Sequence, residues 1–206
     1  MDVLVHGVLD AVRLLATGDE DTWSITALTL RISLTATAIA LLLGVPAGAG
    51  LALGRFRGRH VVLAAANTGM GLPPVVVGLF VTVLLWRSGP LGELGLLYTP
   101  TAMVIAQAGI ATPVVAALTA AALQQVDPDF VVQMRALGAT RPRALAALLA
   151  EARLPLLAAG MAGFGAVVSE VGAAQMVGGN IQGETRVLTT AAVLATSRGE
   201  FSLAIA

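Results

Sequence analysis

The stretch "LTLRISLTATAIALLLGVPAGAGLAL", residues 28–53, decides what kind of protein this is. Apart from Arg31 it is uncharged, over more than the roughly 20 apolar residues that a bilayer-spanning helix needs. Within lipid every backbone group must be paired internally, which leaves helices or a closed barrel. The run is continuous rather than alternating, so it reads as a helix. Similar runs lie at about 61–86, 99–124 and 154–178, and a fifth opens at Phe201 and is cut off at Ala206. The expectation is an all-α, polytopic membrane protein with about five transmembrane helices, the last truncated.

Composition agrees. Mean hydropathy is +0.87 and only 12% of the 206 residues are charged, about half the usual share of a soluble domain. The formal net charge is zero, so a nucleic-acid partner has no electrostatic footprint here. All twelve basic residues are arginine. Without a lysine the chain cannot form a standard P-loop. Without a cysteine it offers no disulfide and no thiolate metal site. His6 and His60 stand far apart, with no ligand-like spacing around them.

The first 24 residues have neither the basic start nor the unbroken apolar core of a signal peptide. Asp2, His6, Asp10 and Arg13 recur at helical spacing, with Leu4, Val5, Val8, Leu9, Val12 and Leu15 filling the other side. Residues 1–24 are expected to be an amphipathic segment lying along the membrane interface.

Arginine placement orients the spans, because cytoplasmic loops collect basic residues. With the 127–154 loop inside, the 54–60 link is inside too. That side then holds Arg55, Arg57, Arg59, Arg135, Arg141, Arg143 and Arg153 against Asp127, Asp129 and Glu151. Acids outnumber arginines on the other side, so the N-terminus is expected outside. Pro46, the "GMGLPP" stretch at 69–74 and Pro113 interrupt the first three spans, and each proline removes a backbone donor and kinks its helix. Small residues such as Gly44, Gly48, Gly160 and Gly163 let helices approach closely.

The segment "RALGATRPRALAALLAEARLP", residues 135–155, concentrates arginine between two apolar runs. Gly138 and Pro142 bracket a turn, and a short helix from Ala144 is expected to turn Leu145, Leu148 and Leu149 one way and Arg141, Arg143 and Glu151 toward water. Physics alone leaves two readings open: a loop that only fixes topology, or a docking element for a cytoplasmic partner.

This segment resembles the cytoplasmic motif of ABC importer permeases, in which coupling helices sit in a cleft of the ATP-hydrolysing subunit. Leu137, Gly138 and Ala139 match its turn, and Leu154-Pro155 its end. The positions of its Glu-Ala-Ala opening hold Val132, Gln133 and Met134, and the interval from Gly138 to Pro155 is longer by about four residues, roughly one helical turn. The stretch "SEVGAAQMVGGNIQGETRVLTTA", 169–191, resembles the molybdate, sulfate and tungstate branch of that family through Glu170, Gly172, Ala173, Gly179, Asn180, Ile181, Gly183 and Thr185. "NTGMGLPPVVVGL" (67–79) and "RSGPLGELGLLYTPTAMVIAQ" (87–107) are most similar to its tungstate-type permeases.

The resemblance implies a permease domain over 25–206, the transport subunit of an ATP-driven oxyanion importer: tungstate first, molybdate or sulfate as alternatives. It implies no catalytic residue and no cofactor or metal on this chain, the ATP and Mg being used by a partner. The implied partners are an ABC ATPase subunit dimer, a periplasmic or extracellular substrate-binding protein, membrane lipid and a second copy of the chain, in a bacterial or archaeal cytoplasmic (inner) membrane. ATPase docking then falls to Leu137, Gly138, Ala139, Arg141, Arg143 and Leu145. The translocation path or gate falls to Glu170, Gly172, Asn180, Thr185, Asn67 and Pro73, and anion contact at the outer mouth to Arg31 and Arg186.

Glu170 is the one acid well inside a span, where ionisable groups are costly and turn toward the bundle interior. Gln107 and Gln175 are polar intrusions of the same kind. An intramembrane enzyme would want paired acids, a histidine cluster or an activated serine, and Glu170 has no acidic partner in its run. A channel or secondary transporter would favour inverted repeats, and no internal duplication is visible.

Overall fold

The computed structural model describes residues 2–17 and 19–205, and every regular element among them is helical. Eleven α-helices follow one another: α1 (Asp2–Thr17), α2 (Glu20–Leu53), α3 (Arg59–Met70), α4 (Pro74–Leu85), α5 (Pro100–Gln124), α6 (Phe130–Ala136), α7 (Arg141–Glu151), α8 (Arg153–Val168), α9 (Gly172–Gly178), α10 (Leu188–Ser197) and α11 (Phe201–Ile205). By length and apolarity α2 and α5 can each cross a membrane, and up to four spans result if α3 with α4, and α7 with α8, each count as one bent crossing.

At 34 residues α2 is about 50 Å long, well beyond the hydrocarbon core. Its start, carrying Glu20 and Asp21, therefore lies outside the apolar layer. Asp19 caps it. The Thr22 N–H and hydroxyl donate to Asp19 Oδ2 at 2.9 and 2.7 Å, and these two bonds hold the Asp19 carboxyl below its ordinary range. The expected segment 1–24 thus divides, with α1 ending at Thr17 and residues 20–24 already in the long helix. Along α1, Val5, Val8, Leu9 and Val12 are exposed, and the buried Gly7 meets Ile205 of α11. Asp2 and Leu4 fall among residues whose side chains lie outside the described set, as does Leu15.

Two compact units make up the chain. The first comprises residues 1–36, 73–107 and 168–206. Its core joins Ile32, Val81, Leu85, Met103, Val177 and Val187. The second comprises residues 37–72 and 108–167. In it Ala49, Leu123, Leu148 and Ala152 form a buried cluster, edged by Phe130, Val131 and Leu156. Small residues govern its packing: a Cβ on Gly44 would lie 2.9 Å from Val115 Cβ, and one on Gly48 would fall against the Ala116 carbonyl oxygen. The link after α2 is tied back to that helix, because Arg59 Nε donates to the Leu51 carbonyl at 2.6 Å and Nη2 to that of Ala52 at 3.2 Å.

Several expectations change. Pro46 and Pro113 lie inside α2 and α5, which run on through them, whereas the GMGLPP stretch does interrupt its run as expected, after Met70, where Gly71 and Pro73 precede α4. The run 154–178 is not one helix: α8 ends at Val168 and α9 starts at Gly172. The short helix of the arginine-rich segment begins at Arg141, not Ala144, and of the three leucines expected to share a face Leu148 is buried while Leu145 is exposed. A further apolar helix, α10, lies beyond the expected runs.

Candidate docking and translocation elements

The arginine-rich elbow is built by backbone geometry. At the end of α6 the Gly138 N–H donates to the Arg135 carbonyl and the Ala139 N–H to that of Met134, both at 3.0 Å. This crossed pair is a Schellman motif, which demands a left-handed residue at its corner. Gly138, at φ +87°, supplies it, and nothing lies within 4 Å of where its Cβ would be. Glycine is therefore required by conformation, not by crowding. Thr140 is extended and Pro142 sits in the first turn of α7, where its missing N–H costs nothing.

Leu148, only 2% exposed, anchors α7 in the second unit's core, while Leu137 stands 80% exposed beside Val132 and Leu145. Arg135, Arg141 and Arg143 are exposed too, and Ala139 is half-buried. Exposed Val132, Leu137 and Leu145 thus stand on the same short stretch as three exposed arginines. The elbow thus gathers Leu137, Gly138, Ala139, Arg141, Arg143 and Leu145 on two short helices and their turn.

A second set of residues lies in the first unit. The Ala173 N–H donates to Glu170 Oε1 at 2.8 Å, so this carboxylate, 8% exposed, closes the start of α9. The Thr189 hydroxyl donates to the Glu170 carbonyl at 2.9 Å. The Glu170 side chain thus caps the helix that follows it, and its main chain takes the bond from α10.

α9 packs against α4 through glycine. A Cβ on Gly78 would sit 2.6 Å from Ala173 Cα, and one on Gly172 2.5 Å from Val75 Cγ2. Gly78→Val is expected to destabilise the protein by about 1–3 kcal/mol through overpacking, read as a lower melting temperature of the purified protein. Gly50→Ala, where nothing lies within 4 Å, is the control.

After α9 the chain folds into a tight loop. Gly179, Asn180 and Gly183 have φ of +72°, +54° and +79°, and a Cβ on Gly179 would also lie 2.9 Å from the Tyr98 ring. Thr185 is fully buried. Its hydroxyl donates to the Gly178 carbonyl at 2.5 Å and accepts the Ile181 N–H at 3.0 Å. Thr190 accepts the Val187 N–H, and the Leu188 N–H donates to Thr29 Oγ1 of α2 at 3.0 Å.

Two cavities open beside this loop. One, of about 300 Å³, is lined by Arg31, Arg186 and Glu184 among others; its two cations outnumber its one acid. The larger, about 680 Å³, shares Arg186 and adds Arg198, but Asp19, Asp21 and Glu200 outweigh them. The smaller is therefore the better place for an anion. The structure brings Arg31 and Arg186 together there, joins Gly172 to the Glu170 cap, and sets Asn180 and Thr185 in one loop. Asn67 is exposed on α3, Pro73 is exposed just before α4, and Gln175 is exposed. Gln107 is buried, and its Oε1 has no hydrogen-bond partner among the described residues. Sequence reasoning named Thr185 but missed Thr29, Thr189, Thr190 and Tyr98. Thr-Thr at 189–190 just before an apolar run was the one available signal of a helix start.

Comparison with known proteins shows the family of the chain. The family described as "Binding-protein-dependent transport system inner membrane component" matches residues 25–205. The tungstate uptake system permease protein TupB of Peptoclostridium acidaminophilum is 36% identical over 206 residues, covering 100% of this chain and 90% of that protein. The protein of the same name from Campylobacter jejuni is 33% identical, covering 100% and 86%. A "Probable anion ABC transporter permease protein" of Haloferax volcanii is 39% identical over 188 residues, covering 89% and 81%. Systems of this kind pair the membrane component with a separate ATPase and a binding protein. The chain belongs to the binding-protein-dependent transport system inner membrane component family, as a multi-pass, non-catalytic ABC permease.

Proposed function

We propose that this chain is the permease of a tungstate importer, working as a two-fold homodimer with its N-terminus outside the cytoplasm. The observation that carries the reading is the Gly138 elbow, which holds an exposed leucine and three arginines on a turn anchored through Leu148. That surface docks the ATPase dimer through Leu137, Gly138, Ala139, Arg141, Arg143 and Leu145. Seven arginines against three acids keep this side in the cytoplasm. No P-loop lysine is present, so the work comes from the partner, whose closure favours one of two permease states through differential binding. One chain carries two to four candidate spans, and a second copy related by a two-fold axis completes a pathway.

The substrate assignment leans on the tungstate uptake relatives and on the cavity with Arg31 and Arg186 at the outer mouth. Glu170, Gly172, Asn180, Thr185, Asn67 and Pro73 belong to the path or its gate. The Glu170 carboxylate repels a dianion and serves by holding α9. The chain itself binds no cofactor. Proteoliposomes containing the permease, its ATPase and its binding protein are expected to take up tungstate in an ATP-dependent manner, ahead of molybdate and sulfate. Preference for either of those anions would overturn the substrate, and flux without the ATPase would overturn the class.

A further inference from the structure

We infer that Asn180 is a positioning residue that aims Arg186 at the anion while leaving its charge uncancelled; this rests on the outer-mouth reading just proposed. Asn180 occupies a left-handed conformation, φ +54°, which non-glycine residues rarely adopt and asparagine tolerates best. Both ends of its amide are used. Oδ1 accepts the Arg186 Nε–H at 3.3 Å, and Nδ2 donates to the Thr190 carbonyl at 3.4 Å. The second bond fixes the amide so that its oxygen, not its nitrogen, faces the guanidinium.

Arg186 is half-buried and lines the smaller cavity with Arg31. Among the described residues its guanidinium has this one side-chain partner, although Glu184 lines the same cavity. The choice of a neutral partner matters. A carboxylate at position 180 would hold the arginine at least as well but would offset its charge, whereas an amide orients it and leaves the field intact. With Nε committed, the two terminal nitrogens remain, and that pair can grip two oxygens of a tetrahedral dianion at once.

The test uses the assembled transporter with its ATPase and binding protein, measuring initial tungstate uptake against anion-loaded binding protein for N180D, N180G, R186A, N180D/R186A and N180G/R186A. Amounts are normalised to assembled complex recovered by gel filtration. N180D is expected to lower uptake roughly tenfold, the worth of one charge-assisted contact. N180G suits the backbone conformation, so it keeps the loop while freeing the arginine, and is expected to lower uptake about threefold, less than N180D because no charge is added.

Each double variant is expected to be no worse than R186A alone, because the partner through which Asn180 acts is already gone. Multiplicative losses in the double variants, or wild-type uptake by N180G, would overturn the positioning role and leave the importer reading standing. Wild-type uptake by R186A would remove the outer-mouth site itself and this inference with it.

Discussion

A Gly138→Trp permease is expected to insert and assemble yet lose more than nine-tenths of ATP-driven uptake, while its ATPase partner continues to hydrolyse. Two effects combine. A side chain in the left-handed region costs about 1–2 kcal/mol, which loosens the crossed bonds to Met134 and Arg135. The position is open, with nothing within 4 Å of an added Cβ, so the indole projects from the turn beside Leu137 instead of disturbing the core. Gly138→Asn tolerates the conformation with little bulk and is expected to retain most uptake. Gly138→Ala, with the strain but without the bulk, separates the two effects. Measuring ATP hydrolysis and uptake on the same proteoliposomes decides the matter, and undiminished uptake by the tryptophan variant would remove the elbow from the docking account.

Thr185→Val should be the most damaging change of nearly constant shape. It deletes a hydroxyl that donates to Gly178 and accepts from Ile181, leaving a buried carbonyl and a partly buried N–H without partners. The buried carbonyl costs about 1–3 kcal/mol and the part-exposed N–H about 1 kcal/mol more, so a total of about 2–4 kcal/mol is expected. Thr185→Ser keeps both bonds and is expected to recover most of that. Thermal unfolding of the purified permease reads the difference directly. Equal melting temperatures for the valine and serine variants would mean that the loop does not depend on this hydroxyl.

Long apolar runs made α2 and α5 legible, because hydropathy over about 20 residues is a strong signal. The elbow was legible as well, since Leu137-Gly138-Ala139 followed by Pro142 specifies a turn and a new helix start. Prolines misled in the opposite sense. Pro46 and Pro113 each remove one donor, which a helix that is otherwise well packed survives. The break at 169–171 carried no proline; it is made by the local Glu170 cap and by the bond from Thr189, 19 residues further on, and the second of these has no local signal in the sequence. α10 has ten residues, too few for a spanning window. Arg31 and Arg186, which the family resemblance put at one site, line a common cavity. The bond from Leu188 to Thr29 joins residues 159 apart and could not be read at all.

The Arg59 guanidinium carries one last implication. With two of its N–H groups on the final carbonyls of α2, the short stretch 54–58 is stitched to the helix it leaves. Displacement of that helix end must therefore carry the connector along as a single crank, without slack to absorb the stroke.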